Sequence, residues 1–290
     1  MNRQTRSTAL ALTAVLFWAT VATAFKLTLR WIGPVDLLLV AAPVSTLALG
    51  LGLLRRRPSL RRLLRPKALA MSALLGLLNP FLYYLVLFEA YDRLPGQVAQ
   101  PLNYTWAITL TLLSVLVLKQ RIRAASWLGI LISFLGVLVL STRGDLLGLR
   151  FDDPLGVGLA LFSSIFWALY WILNLRDGRG ATEKLFLGFV FGTIYVWAYA
   201  ASRGLIGPMP IAGLIGGAYV GLFEMGLTFL LWMKALESAE NTARVSNLIF
   251  LSPFVSLVLL AMVAGESILP SSVLGLALII GGIAVQRRWA

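Results

Sequence analysis

The chain has 290 residues, 59% of them hydrophobic and 13% charged, a formal net charge of +13, and neither cysteine nor histidine. Without thiols or imidazoles it can form no disulfide, no thiolate metal site and no imidazole-ligated centre, so the usual zinc enzymes and histidine-based intramembrane hydrolases are excluded. The positive charge sits in short segments between apolar runs, where it signals topology and contacts anionic membrane lipid, so no nucleic-acid partner is expected.

Taken in order, the apolar runs reach or approach the roughly 20 residues that cross a bilayer. Ten spans are predicted, at 8–29, 34–54, 67–91, 96–118, 125–142, 154–176, 183–202, 211–236, 243–264 and 270–286. The chain is therefore expected to be an all-α integral membrane protein of ten transmembrane helices. The first run, Thr8 to Leu29, is too long for a signal-peptide core and has no small-residue cleavage site after it, so it reads as the first span. The loops are short, which places consecutive helices side by side.

The third span carries Asn79-Pro80 and then Tyr83-Tyr84. The fourth carries Gln100-Pro101, Asn103, Tyr104, Thr105 and Trp106. Proline inside a span frees a backbone carbonyl, which is tolerated where that group faces protein or a wet cavity. The sixth span holds Trp167, Tyr170 and Trp171. In the seventh, Gly188-x-x-x-Gly192 suits a tight helix contact, either within one copy of the chain or between copies.

The eighth span places Glu224 at its middle, with Gly213, Gly217 and Gly221 before it at four-residue spacing. A carboxylate at that depth needs a partner, a proton or a wet cavity. Asn247, Ser252 and Pro253 follow in the ninth span. Trp31, Trp127, Trp197 and Trp289 are expected at the membrane interfaces, and Trp18, Trp106 and Trp167 deeper.

Lys and Arg set the orientation. With the N-terminus in the cytoplasm, nineteen of the 25 fall on the cytoplasmic side, dominated by the seven from Arg55 to Lys67, and six on the other. Both termini are therefore expected to be cytoplasmic.

The chain also repeats itself. Leu16-Phe17-Trp18-Ala19 returns as Ile165-Phe166-Trp167-Ala168, and Gly129 and Gly136 return as Gly275 and Gly282. This register sets Asn79 opposite Glu224, and two five-helix halves are expected, 1–148 and 149–290, around a central cavity. Five is odd, so the halves must cross the membrane in opposite senses. The loop charges agree: basic 55–67 corresponds to Ser202 to Pro210 with one arginine, and Lys119-Gln120-Arg121 to Gly265-Glu266-Ser267 with none. Inverted repeats of this kind are a building plan of secondary transporters.

The two FWA helices, Pro253 followed thirteen residues later by Glu266, then Gly275 and Gly281-Gly282, resemble the paired EamA units of the drug/metabolite transporter superfamily. The chain looks most similar to the YddG-type amino-acid exporters. The resemblance covers nearly the whole chain and implies a ten-helix transporter of the bacterial inner membrane that exports aromatic and other neutral amino acids or related compounds. Two features depart from it: Gln120 stands where the second half has Glu266, and Leu37 to Thr46 lacks the arginine often found in the second helix of such units.

A substrate-binding site is expected from Asn79, Tyr83, Tyr84, Asn103, Trp167, Trp171 and Glu224. Polar groups would meet a charged head and rings an apolar side chain. Glu224 could instead couple transport to protons. No metal and no cofactor are expected, since there is neither an acidic ligand cluster nor a G-x-x-x-x-G-K-[ST] loop. A carrier of sugar phosphates or nucleotide sugars would need Lys or Arg at mid-membrane. An intramembrane enzyme would need a Ser-Lys pair or an acidic dyad at depth. Neither set is visible.

Overall fold

The structure, a computed structural model, describes residues 3–54, 63–118, 124–145, 153–238, 245 and 247–288. The basic residues from Arg55 to Arg62, Lys119-Gln120-Arg121 and Trp289 lie outside these, as do the side chains of Asn247 and Phe250.

The described residues form ten helical rods. The first two are α1 (Arg3–Leu29) and α2 (Pro34–Leu54). Next, α3 runs through Pro66–Gly76, a wide π turn Leu77–Leu82, and Tyr83–Arg93. In α4, Gly96–Tyr104 steps at Thr105 into Trp106–Leu118. Then come α5 (Ala124–Ser141), α6 (Pro154–Arg176) and α7 (Ala181–Ser202). A second π turn, Gly221–Gly226, joins Ile211–Val220 to Leu227–Ser238 in α8. In α9 a 3₁₀ start, Asn247–Leu251, precedes Ser252–Leu259 and a π-wound end, Leu260–Ala264. The last rod is α10 (Pro270–Arg288).

The helix starts follow from sequence. Pro34, Pro66, Pro154 and Pro270 open their helices, where a missing N–H costs nothing. At α6 the Asp153 carboxylate also accepts from Gly156 N at 2.8 Å. Six rods, α1, α2, α3, α6, α7 and α8, are each long and apolar enough to cross a membrane. Large apolar side chains such as Leu47, Leu116, Leu131, Phe134 and Met262 are exposed on the outer surface, as contact with lipid requires. Trp31, Trp127 and Trp197 are exposed as well.

Short loops suggest neighbours in sequence, but the helices pair across the halves instead. α5 packs along α10 and α2 along α7; α1 lies against α8 and α9, as α6 lies against α3 and α4. Small residues decide this, because they let backbones meet where side chains would hold them apart. A Cβ on Gly136 would stand 2.7 Å from Gly275 O, and one on Gly282 would collide with Gly129 O and Ser133. The Gly188 and Gly192 pair packs internally, on Gly76 and Pro80 of α3.

Each such contact recurs with the halves exchanged. Gly76 faces Gly188 and Phe191, and Gly221 faces Ala41 and Val44. Two residues even touch their own counterparts: Thr46 Oγ1 and Thr193 Oγ1 share a hydrogen bond at 2.9 Å, and Ser133 Oγ donates to Ile279 O at 3.0 Å.

The π turns also correspond. Tyr83 N donates five residues back to Leu78 O, and Leu227 N donates to Leu222 O. Each turn is six residues long, Leu77–Leu82 and Gly221–Gly226, so the two correspond at an offset of 144, and within the first Asn79 has an extended backbone (φ −148, ψ 120).

Candidate functional site

A cavity of about 270 Å³ opens between the halves, just below the roughly 300–1,000 Å³ of ligand pockets. Helical spacing explains its wall. Trp18, Val21 and Phe25 share one face of α1; Tyr83, Leu87 and Tyr91 share one face of α3; Trp167 and Trp171 share one face of α6. Gln100, Asn103, Tyr104 and Trp106 enter from α4 on either side of its step at Thr105. Glu224, Phe229 and Trp232 enter from α8.

Trp167 is the hub of the rings. It stacks on Tyr83 with centroids 4.7 Å apart, meets Trp171 edge-on at 5.9 Å, and lies 6.0 Å from Phe229 and 6.5 Å from Trp106. Aromatic pairs of this kind contribute about 0.5–1.5 kcal/mol each beyond their buried area, so the wall is stiff as well as apolar.

Polar groups fix the same wall. Tyr83 OH donates to Asn103 Oδ1 at 3.1 Å, and Asn103 Nδ2 donates to Ser163 Oγ at 3.2 Å. Ser163 Oγ in turn donates to Ala160 O at 2.7 Å, so α3, α4 and α6 are joined by one chain of hydrogen bonds. Glu224 sits within the π turn of α8. Its Oε1 accepts from Tyr84 OH at 3.0 Å, while its Oε2 is buried without a hydrogen-bond partner. The carbonyl of Phe223, loosened by the same turn, is taken up by the Thr228 hydroxyl.

Five of the seven residues expected from sequence line the cavity: Tyr83, Asn103, Trp167, Trp171 and Glu224. Tyr84 is fully buried behind the wall and reaches Glu224 from there. Asn79 does not pair with Glu224 as the repeat register suggested. It is fully buried outside the lining, against the Tyr170 phenol, and neither of its amide atoms makes a hydrogen bond of regular geometry. The π turns correspond at an offset of 144, which sets Asn79 against Phe223 instead of Glu224, and its extended backbone takes Asn79 off the helical path. Tyr219 of α8 shares a hydrogen bond with Thr20 of α1 at 2.8 Å. Phe25, Leu87, Tyr91 and Phe229 line the cavity without having been singled out by sequence. Their four- and eight-residue spacing from Tyr83, and Phe25's seven-residue spacing from Trp18, is the signal that could have found three of them.

One end of the cavity is closed by a polar latch just beyond Phe25 and Tyr91. Lys26 Nζ donates to Tyr91 O at 2.8 Å and Leu94 O at 3.1 Å, and Arg30 Nη2 donates to Ala264 O at 2.6 Å. Glu266, from the loop before α10, caps α4: it accepts from Gly96 N at 2.7 Å and Gln97 N at 3.0 Å. Gln97 Nε2 donates to Ser267 O at 2.6 Å, and Leu269 N donates back to Gln97 Oε1 at 3.2 Å. Asp153, at the start of α6, meets Arg93 at 3.5 Å on this side, so α6 begins where α1 ends. At the far end Ser7 Oγ, at the start of α1, donates to Ala235 O near the end of α8 at 2.7 Å.

Among the described residues no group of three or more acidic side chains could hold a metal ion.

Comparison with known proteins gives a concordant result. The profile of the EamA-like transporter family matches residues 5–142 and again 154–287. An aromatic amino acid exporter, YddG, of Ancylobacter novellus is 27% identical over 291 residues, covering 98% of this chain and 98% of its own. An uncharacterized transporter of Archaeoglobus fulgidus is 27% identical over 284 residues, covering 96% and 97%. A solved crystal structure 23% identical in sequence superposes with a TM-score of 0.68 over 98% of this chain and 99% of its own, a likeness of fold.

Proposed function

Because this chain belongs to the EamA-like transporter family, and is thus a multi-pass membrane transporter of a small molecule, we propose that it is a secondary exporter of amino acids, aromatic and other neutral ones, or of related small amphipathic metabolites. It works in the bacterial inner membrane with both termini cytoplasmic. The two halves are inverted repeats that rock about the cavity, exposing it first to one side and then to the other. Supporting the inversion, helix contacts recur with the halves exchanged, and α6 begins at the end where α1 finishes.

The observation that carries the reading is the bond between Tyr84 of the first half and Glu224 of the second, on the wall of a ring-lined cavity to which both halves contribute. A motion of one half against the other cannot leave that wall unchanged. Tyr83, Asn103, Trp167, Trp171 and Glu224 contact the cargo, while Tyr84 and Asn79 support the wall from behind. Carriage of sugar phosphates is disfavoured because no Lys or Arg lines the cavity among the described residues. The family and its relatives are transporters, and the protein is read as a carrier and not an enzyme.

Counterflow of radiolabelled tryptophan, phenylalanine and tryptamine into liposomes holding the purified protein tests the proposal. Uptake above that of empty liposomes, lost on Trp167→Ala, is expected. Uptake of all three no faster than in empty liposomes would sink it. Repeating the assay with and without a pH gradient, in the wild type and Glu224→Gln, separates proton-coupled from facilitated movement.

A further inference from the structure

The charge of the cavity is one-sided. Glu224 is the one acidic side chain on its described wall, with Oε1 held by Tyr84 from behind and Oε2 buried and unpaired. No Lys or Arg among the described residues lines the space. Lys26, adjacent in sequence to the lining residue Phe25, directs its amine away to two backbone carbonyls. The donors that remain on the wall are neutral: Tyr83 OH is engaged on Asn103 and Asn103 Nδ2 on Ser163, while Trp171 Nε1 is buried without a partner.

Around the carboxylate stand the rings of Trp18, Tyr83, Trp106, Trp167, Trp171 and Phe229. An ammonium group satisfies both features at once, supplying the counter-charge for Oε2 and resting on the indole and phenol faces. A carboxylate on the same ligand meets the opposite conditions: a like charge on Glu224 and an apolar wall whose donors carry no charge.

We propose that the preferred cargo is a cationic amine with a flat apolar body and no carboxylate, such as an arylalkylamine. The proposal rests on the carrier reading of this cavity and narrows its substrate class. The ammonium sits on Glu224 Oε2 and the ring system packs against Trp167 and its neighbours.

Calorimetric titration of the full-length protein in detergent with tryptamine, L-tryptophan and indole tests this. The three share the ring system: tryptamine adds an ammonium on a two-carbon chain to indole, and L-tryptophan adds a carboxylate to that chain. Tryptamine is expected to bind at least about tenfold more tightly than L-tryptophan, the effect of one unfavourable buried charge. Glu224→Gln is expected to bring tryptamine down to the level of indole. L-Tryptophan binding as tightly as tryptamine, or tryptamine binding undiminished in Glu224→Gln, overturns the proposal and leaves the carrier reading standing. Binding of none of the three overturns both. If Glu224→Gln does not fold, the ranking of the three ligands on the wild type decides the matter alone.

Discussion

Tyr84 and Glu224 are 140 residues apart in sequence, yet the phenol of one donates to the carboxylate of the other at 3.0 Å inside the membrane-spanning bundle. The first prediction follows from the inequality of two neighbouring phenols. Tyr84→Phe leaves both Glu224 oxygens without a partner, whereas Tyr83→Phe breaks a bond to the neutral Asn103 amide. Hydrogen bonds to charged groups contribute about 1.5–3 kcal/mol and neutral ones about 0.5–1.5. Unfolding in mixed micelles should therefore show Tyr84→Phe to be the more destabilising of the two; equal losses would contradict the assignment.

Glycine pairs at the α5–α10 contact supply a second. A Cβ on Gly282 would collide with Gly129 O and Ser133, whereas one on the adjacent Gly281 meets nothing within 4 Å. Gly282→Ala should cost about 1–3 kcal/mol through displaced backbone. Gly281→Ala should be neutral or stabilising by up to about 1 kcal/mol, because alanine is the better helix former. Thermal midpoints of the two purified variants give the comparison directly.

A third concerns Glu266, which holds the first two amides of α4 from another part of the chain. Loss of such a cap costs about 0.5–2 kcal/mol. Glu266→Ala should speed hydrogen exchange of the peptide around Gly96 and Gln97 by roughly two- to thirtyfold at 25 °C, with Glu266→Gln intermediate. Exchange unchanged in Glu266→Ala would mean that water or another donor set already satisfies that helix end.

The loop between α6 and α7 carries a dependence on pH. Burial pushes the Asp177 carboxyl up, but Arg179, bonded to it at 2.5 Å, outweighs this and holds it below its ordinary 3.8. A carboxyl depressed in the folded state contributes stability above 3.8 and loses it as pH falls through the folded value. Asp177→Asn should thus be less stable than the wild type at pH 7, by about 1 kcal/mol or less. The gap should close on acidification below 3.8. Melting curves of both proteins across that range provide the check; a gap that widened would reverse the sign.

Much of the architecture could be read directly. Unbroken apolar runs mark the helices, and the FWA pair and the Gly129 and Gly136 set mark the repeat, because those residues do the same packing work twice. The cavity was legible at Asn103, Trp167 and Glu224, where a polar or aromatic residue interrupts an apolar span. Asn79 was misplaced because the repeat offset used for it, 145, is one more than the 144 that relates the two π turns, and a one-residue slip turns a helical side chain by about 100°. Phe25 and Phe229 were passed over because helices that face protein on one side and lipid on the other are apolar all round, which erases the periodicity that marks an inner face. Neighbour relations were misjudged because loop length limits distance only, while small residues choose the partner.

The latch is not repeated in the sequence. At the corresponding positions of the second copy of the pattern, Leu175 stands for Lys26, and Gln120 in the first copy stands for Glu266. On the proposed carrier reading, a bolt made of residues that the repeat does not copy favours one resting position over the other, and the idle protein should dwell with it shut. Such a preference would set the tempo of turnover and leave its endpoint to the gradient, since no catch on a swinging gate can push traffic uphill.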